Sequence, residues 1–149
     1  MSNFVFNIAK GKVSYYSSLP GANDGLIAVP LQTANVEPDA DMINRESLAE
    51  ILLNSDEQLQ VGREALTGVT SEVVHSSNSS KADFNDFIYS SATGPAITAI
   101  VICYVPDTDF MVDGSIIPLT KHDFSALPNG GDIPVQISST GFFVALSNS

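Results

Sequence analysis

From Ala96 to Leu146 the chain is a succession of apolar runs, each about one strand long and each closed by a turn-forming segment. ITAIVICYV (Ile97 to Val105) is followed by PDTDFMVDGS, IIPLT, the tail KHDFSALPNGGD, IPVQI and GFFVAL. The breaks are rich in Pro, Gly, Asp, Asn and Ser, and they leave no length for the crossover helices that a parallel sheet requires. The segment therefore predicts antiparallel pairing. With it comes an all-β, or mainly β, architecture: an antiparallel β-sandwich or jelly-roll-like barrel with one short helix.

The rest of the chain extends that pattern. In Asn3 to Leu19, Phe4, Phe6 and Ile8 alternate with Val5, Asn7 and Ala9, which predicts an extended segment with one face to bury. LIAVPLQ (Leu26 to Gln32) reads as a second strand, with Pro30 pointing to an edge or a bulge. TANVEPDADMIN reads as loop. RESLAEILLN (Arg45 to Asn54) is the one helical pattern, because Leu48, Ile51 and Leu52 share a face opposite Glu46 and Glu50, with Asn44 as N-cap. LTGVTSEVVH predicts a strand, SSNSSK a turn, and ADFNDFIYSS a further strand. Residues 1–18 form an N-terminal arm or first strand, and residues 19–149 a single β-sandwich domain.

At 149 residues one domain buries roughly 68–70% of the surface its unfolded chain exposes, so neither a metal nor a disulfide is needed to hold it. Hydrophobic content of 44% argues against wholesale disorder. Six Lys and Arg stand against 17 Asp and Glu, a net charge of −11, which argues against direct contact with nucleic acid phosphates. Nowhere do 18 apolar residues run together, and the first residues lack a basic region leading into a long apolar one. The expectation is a chain with no membrane partner and no signal peptide, made in a cytoplasm.

Few residues invite a chemical reading. Cys103, the single cysteine, lies inside AIVICYV and reads as a small core hydrophobe. Glu37, Asp39 and Asp41 alternate, and Asp107, Asp109 and Asp113 precede Gly114, but neither spacing matches a calcium loop, so these read as turn residues. His122 and Asp123 are neighbours on a strand and point to opposite faces, a poor geometry for a dyad. G-x-S-x-G, P-loop, H-E-x-x-H and C-x-x-C motifs are all absent. The expectation is a non-enzymatic chain with no cofactor, whose working surface is the N-terminal arm: Phe4, Phe6, Lys10, Lys12, Tyr15 and Tyr16 as partner-binding residues, a terminal strand being suited to pair with a neighbour's sheet edge.

The segments MSNFVFNIAKGKVSYYSSLPGANDGLIAVPL, DEQLQVGREALTGV, AIVICYVPDTD, IIPLTKHDF, LPNGGDIPVQIS and GFFVAL together resemble the small virion structural proteins of tailed bacteriophages, in particular capsid decoration or cement proteins. The resemblance covers most of the chain and is most specific at its ending. It implies a β-sandwich or jelly-roll fold without an active site. It also implies many copies, as dimers or trimers, on the outside of a shell of major capsid protein, bridging capsomers. A neck, tail or fibre-associated structural protein, and a glycan- or receptor-binding module, are the alternatives.

Overall fold

The computed structural model describes residues 3–77, 79–136 and 141–146. The fold is mainly β, with three antiparallel sheets. The principal sheet has the order β1 (Phe4–Val5), β8 (Ile117–Ala126), β7 (Ile97–Val105), β2 (Gly25–Gln32), β3 (Glu64–Ala65). A second sheet joins β10 (Phe143–Leu146), β5 (Ser79–Asp83) and β4 (Thr70–Val74), and a third pairs β6 (Phe87–Tyr89) with β9 (Ile133–Val135). Among the described residues no helix is long and apolar enough to cross a membrane.

The apolar runs of β2 and β7 are continuous because both faces of the principal sheet are covered. Alternate residues go to opposite sides. Leu26, Ala28, Ile100, Ile102 and Tyr104 face the two smaller sheets, against Ala82, Phe84, Tyr89 and Val135. Ile27, Val29, Leu31, Ala99, Val101, Cys103 and Val105 face the other way, where Met42, Leu48 and Ile51 of the helices cover them together with Phe6. Full burial of each large aliphatic side chain stabilises the fold by about 1.5–3 kcal/mol, so these two strands are its mechanical centre.

The helical layer is more divided than the sequence pattern suggests. Asp39–Met42 forms a single turn, α2, within a stretch that reads as loop. The main helix, α3, runs Leu48–Asn54, later than the expected Arg45 start. Its N-cap is Ser47 and not Asn44: the Ser47 hydroxyl accepts from the Glu50 amide at 3.3 Å, and the Glu50 carboxylate reaches back to the Glu46 amide at 3.1 Å. Asn44 is occupied elsewhere, donating to Ala40 O and accepting from Asn7. Within the first segment, strand structure is confined to β1. A 3-10 turn (Asn7–Ala9) and a short helix, α1 (Val13–Ser17), follow it, where an extended segment was expected.

Two further departures have local causes. Ser79–Asp83, expected as part of a turn and the strand after it, is the central strand of its sheet, with β4 on one side and β10 on the other. Main-chain pairing on both sides outweighs the turn preference of its serines. Pro30 lies within β2 and pairs with Ile100 of β7. Its carbonyl accepts from Gln58 N at 2.9 Å, on the side away from β7. The missing N–H of proline points the same way, so no bond of the β2–β7 ladder is lost. The expected bulge follows at Leu31/Gln32.

The fully buried Gln58 ties this region together. Its amide donates to Thr93 O and Pro95 O, both at 2.9 Å, and its carbonyl oxygen accepts from the Gln60 and Val61 amides. Gly94, at φ +100°, passes so close that a Cβ there would meet the Gln58 amide nitrogen at 2.8 Å.

Candidate interaction surface

Strand β1 lies at the edge of the principal sheet, with Phe4 opposite Lys121 and Val5 opposite Thr120. Phe6 continues the pairing through its amide, which donates to Leu119 O at 3.0 Å. In an antiparallel ladder alternate residues direct their main-chain groups to opposite sides. Phe4 and Phe6 therefore face β8, and the N–H and C=O of Val5 face outward along the open rim.

The six residues expected to form the partner-binding arm divide sharply. Phe6 is fully buried and belongs to the core on the helical side. Phe4 is half-buried, edge-on to Phe6 at 5.0 Å, with the Lys121 ammonium 5.6 Å above its ring. Tyr16 is half-buried and stacks on Tyr104 at 4.6 Å. Lys10, Lys12 and Tyr15 are exposed, the two lysines flanking Gly11, whose φ of +75° makes the turn. Ala9 and Val13 are also buried, so residues 3–17 are stitched into the body.

Lys121, unremarked in the sequence, secures this edge. Its side chain is fully buried, and its ammonium donates to Asp39 of α2 at 2.9 Å and to Asp123 of β8 at 3.0 Å. One cation thus joins a helix, the sheet and the ring of Phe4. The only hint in the sequence is a lysine set inside the apolar run IIPLTKHDF.

On the opposite face of β1 and β8 lies a cleft of about 550 Å³, walled mainly by Val5, Phe84, Phe87, Ile100, Ile102 and Phe142. Its polar floor is His122, whose Nε2 lies 2.8 Å from the Thr120 hydroxyl and whose ring meets Phe142 edge-on at 6.3 Å. Burial lowers the His122 pKa below its ordinary 6.5, with Lys121 adding to the effect and Asp123 opposing it. His122 and Asp123 point to opposite faces: Asp123 is taken by Lys121, and His122 by Thr120. Cys103 lies on the helical side of the sheet, away from His122, and burial pushes its thiol pKa up, so it stays protonated.

The alternating acidic residues also part company. Glu37 pairs with Arg45 through two contacts, one at 3.0 Å from Arg45 Nε and a second to the Arg45 Nη2, and Asp39 goes to Lys121. Asp107 and Asp109 both accept from the Asn23 amide, at 2.7 and 2.9 Å. Asp113 instead lies against Arg63, which also grips Glu57. Among the described residues no group of three His, Cys, Asp or Glu converges as metal ligands would. Comparison with models of protein families, with curated proteins and with solved structures returns no match to this chain.

Proposed function

We propose that this chain is a non-enzymatic virion structural protein of a tailed bacteriophage: a capsid cement or decoration protein that binds the outside of the major capsid protein shell and bridges capsomers. The observation that supports it most is the open rim of β1. There the outward main chain at Val5 can pair a neighbour's strand, and the exposed Lys10, Lys12 and Tyr15 follow in the same segment to meet a partner's carboxylates. Behind that rim is a stiff body, in which Lys121, Arg45 and Arg63 are consumed by internal ties. A body of this kind transmits load between the capsomers it bridges. Multivalency on a shell then strengthens contacts that are individually weak.

The glycan-binding alternative calls for a flat aromatic platform. Tyr15 and Tyr16 meet edge-on, at 60°, which does not supply one.

The test is stoichiometry. Quantitative mass spectrometry of purified particles is expected to find hundreds of copies per shell; six or twelve would move the chain to a neck or tail. Lys10→Glu together with Lys12→Glu and Tyr15→Ala is expected to lower occupancy while leaving the melting temperature within a few degrees. Full occupancy of that variant would remove Lys10, Lys12 and Tyr15 from the contact.

A further inference from the structure

The loop joining β7 to β8 carries three consecutive apolar side chains in water. Phe110 is 75% exposed, Met111 45% and Val112 56%, and none of them packs in either core cluster. Single exposed apolar residues are ordinary on a protein surface, but a run of three at one tip is not. Folding does not ask for them. A polar residue at each position would leave the described packing intact.

The loop is also held in shape. Thr108 N donates to Asn23 O at 2.8 Å, Phe110 N to Asp107 O at 3.1 Å, Val112 N to Phe110 O at 3.1 Å and Ser115 N to Val112 O at 2.8 Å. Arg63 fixes the far side through both oxygens of Asp113. An ordered loop binds with less entropy to lose than a mobile one. The conformation that presents the tip is therefore already made.

Charge narrows the partner. Asp107 and Asp109 are drawn together by one neutral amide, Asn23, and among the described residues neither forms an ion pair. Two uncompensated carboxylates beside Phe110 repel an anionic lipid surface and favour a cationic rim.

We infer that Phe110, Met111 and Val112 form a plug that enters an apolar pocket rimmed by Lys or Arg on the coat protein, with Asp107 and Asp109 meeting that rim. The identity of the partner rests on the shell-binding reading above. The plug is smaller than the roughly 800 Å² per partner of a typical stable interface, and it acts as the anchor within a wider footprint.

The test adds purified full-length chain back to phage heads stripped of it and measures bound copies against concentration and salt. F110S/M111S is expected to weaken binding about tenfold or more, with an unchanged melting temperature. D107N/D109N keeps an acceptor oxygen for the Asn23 amide at each position. It is expected to bind less weakly than F110S/M111S and to lose most of the salt dependence. Wild type and F110S/M111S binding equally well would overturn the plug. So would a wild-type dimer, seen by sedimentation, that F110S/M111S dissolves, since the pocket would then belong to a second copy. A wild-type chain that does not bind stripped heads at all would overturn the shell-binding reading, and the named partner with it.

Discussion

The N-terminal segment and the β7–β8 tip are alike in composition and opposite in fate. Each carries adjacent aromatic and aliphatic residues beside charged ones: Phe4, Val5 and Phe6 ahead of Lys10 and Lys12 in one, Phe110, Met111 and Val112 among Asp107, Asp109 and Asp113 in the other. The first is drawn into the body, with Phe6 fully buried, while the second stands in solvent with Phe110 75% exposed. What separates them is the surface each one meets. β1 finds an unpaired edge on β8 and an apolar helical layer behind it, whereas the tip lies beyond the end of the sheet and joins neither core cluster of the described residues. Apolar residues state a need for burial, and the fold decides whether that need is met within the chain or left to a partner.

The largest test of this contrast is Phe6→Ala. A fully buried phenylalanine is expected to cost about 3–5 kcal/mol on truncation, read as a fall in unfolding free energy by chemical denaturation. Removing residues 1–18 is expected to abolish cooperative unfolding, since Ala9 and Val13 leave the core with Phe6. An unfolding curve close to that of the full chain would return the segment to the status of a separable arm.

Next in size is Lys121→Ala, which strands Asp39 and Asp123 without their cation. The expected loss is about 2–3 kcal/mol, less than for a fully buried pair because both carboxylates are partly solvated. Lys121→Met, which keeps an apolar stem of similar length, separates the loss of charge from the loss of packing. Equal losses in the two variants would mean that the stem contributes nothing, and a Lys121→Met variant as stable as the wild type would mean that the ammonium contributes nothing.

A smaller effect concerns the cleft side of β8. The folded state holds His122 below the ordinary pKa of 6.5, so the unfolded chain binds the proton more readily. The contribution is full above pH 6.5 and is lost as pH falls below it toward the folded pKa. Unfolding free energy measured between pH 7.5 and 5.5 is expected to decline with falling pH in the wild type and more weakly in His122→Gln. Parallel profiles would place the titration elsewhere.

The smallest effect sharpens the contrast from its other side. Phe110→Ser is expected to change stability by no more than about 0.5 kcal/mol, as for exposed positions generally. A loss above about 1 kcal/mol would show that the tip packs on the body in solution.

Much of the fold is legible in the sequence wherever a local pattern and the tertiary demand coincide. ITAIVICYV reads as a strand and is β7; Cys103 reads as core and is buried; the pattern of Leu48, Ile51 and Leu52 gives a helix, with Leu48 and Ile51 on its buried face. The signal weakens where pairing overrides preference, as in the serine-rich β5, and where two caps compete, as with Asn44 and Ser47. The candidate surface was harder to read. Alternation of Phe4, Phe6 and Ile8 marks a face to be buried, and says nothing of whether the chain or a neighbour buries it. Strand alternation separates His122 from Asp123 in the sequence itself, but nothing local shows that Asp39 of α2 reaches the face that Lys121 and Asp123 share.

The sequence alone determined a mainly β chain of antiparallel strands, because period, strand length and turn residues are local properties that the backbone reads directly. It also determined the acidic surface, because charge is additive. Only the tertiary structure decided that Phe6, Ala9 and Val13 are core, that a buried lysine ties β8 to α2 beneath Phe4, and that Phe110, Met111 and Val112 are left outside. Burial is a relation between segments far apart in the chain, and no window of sequence contains both partners.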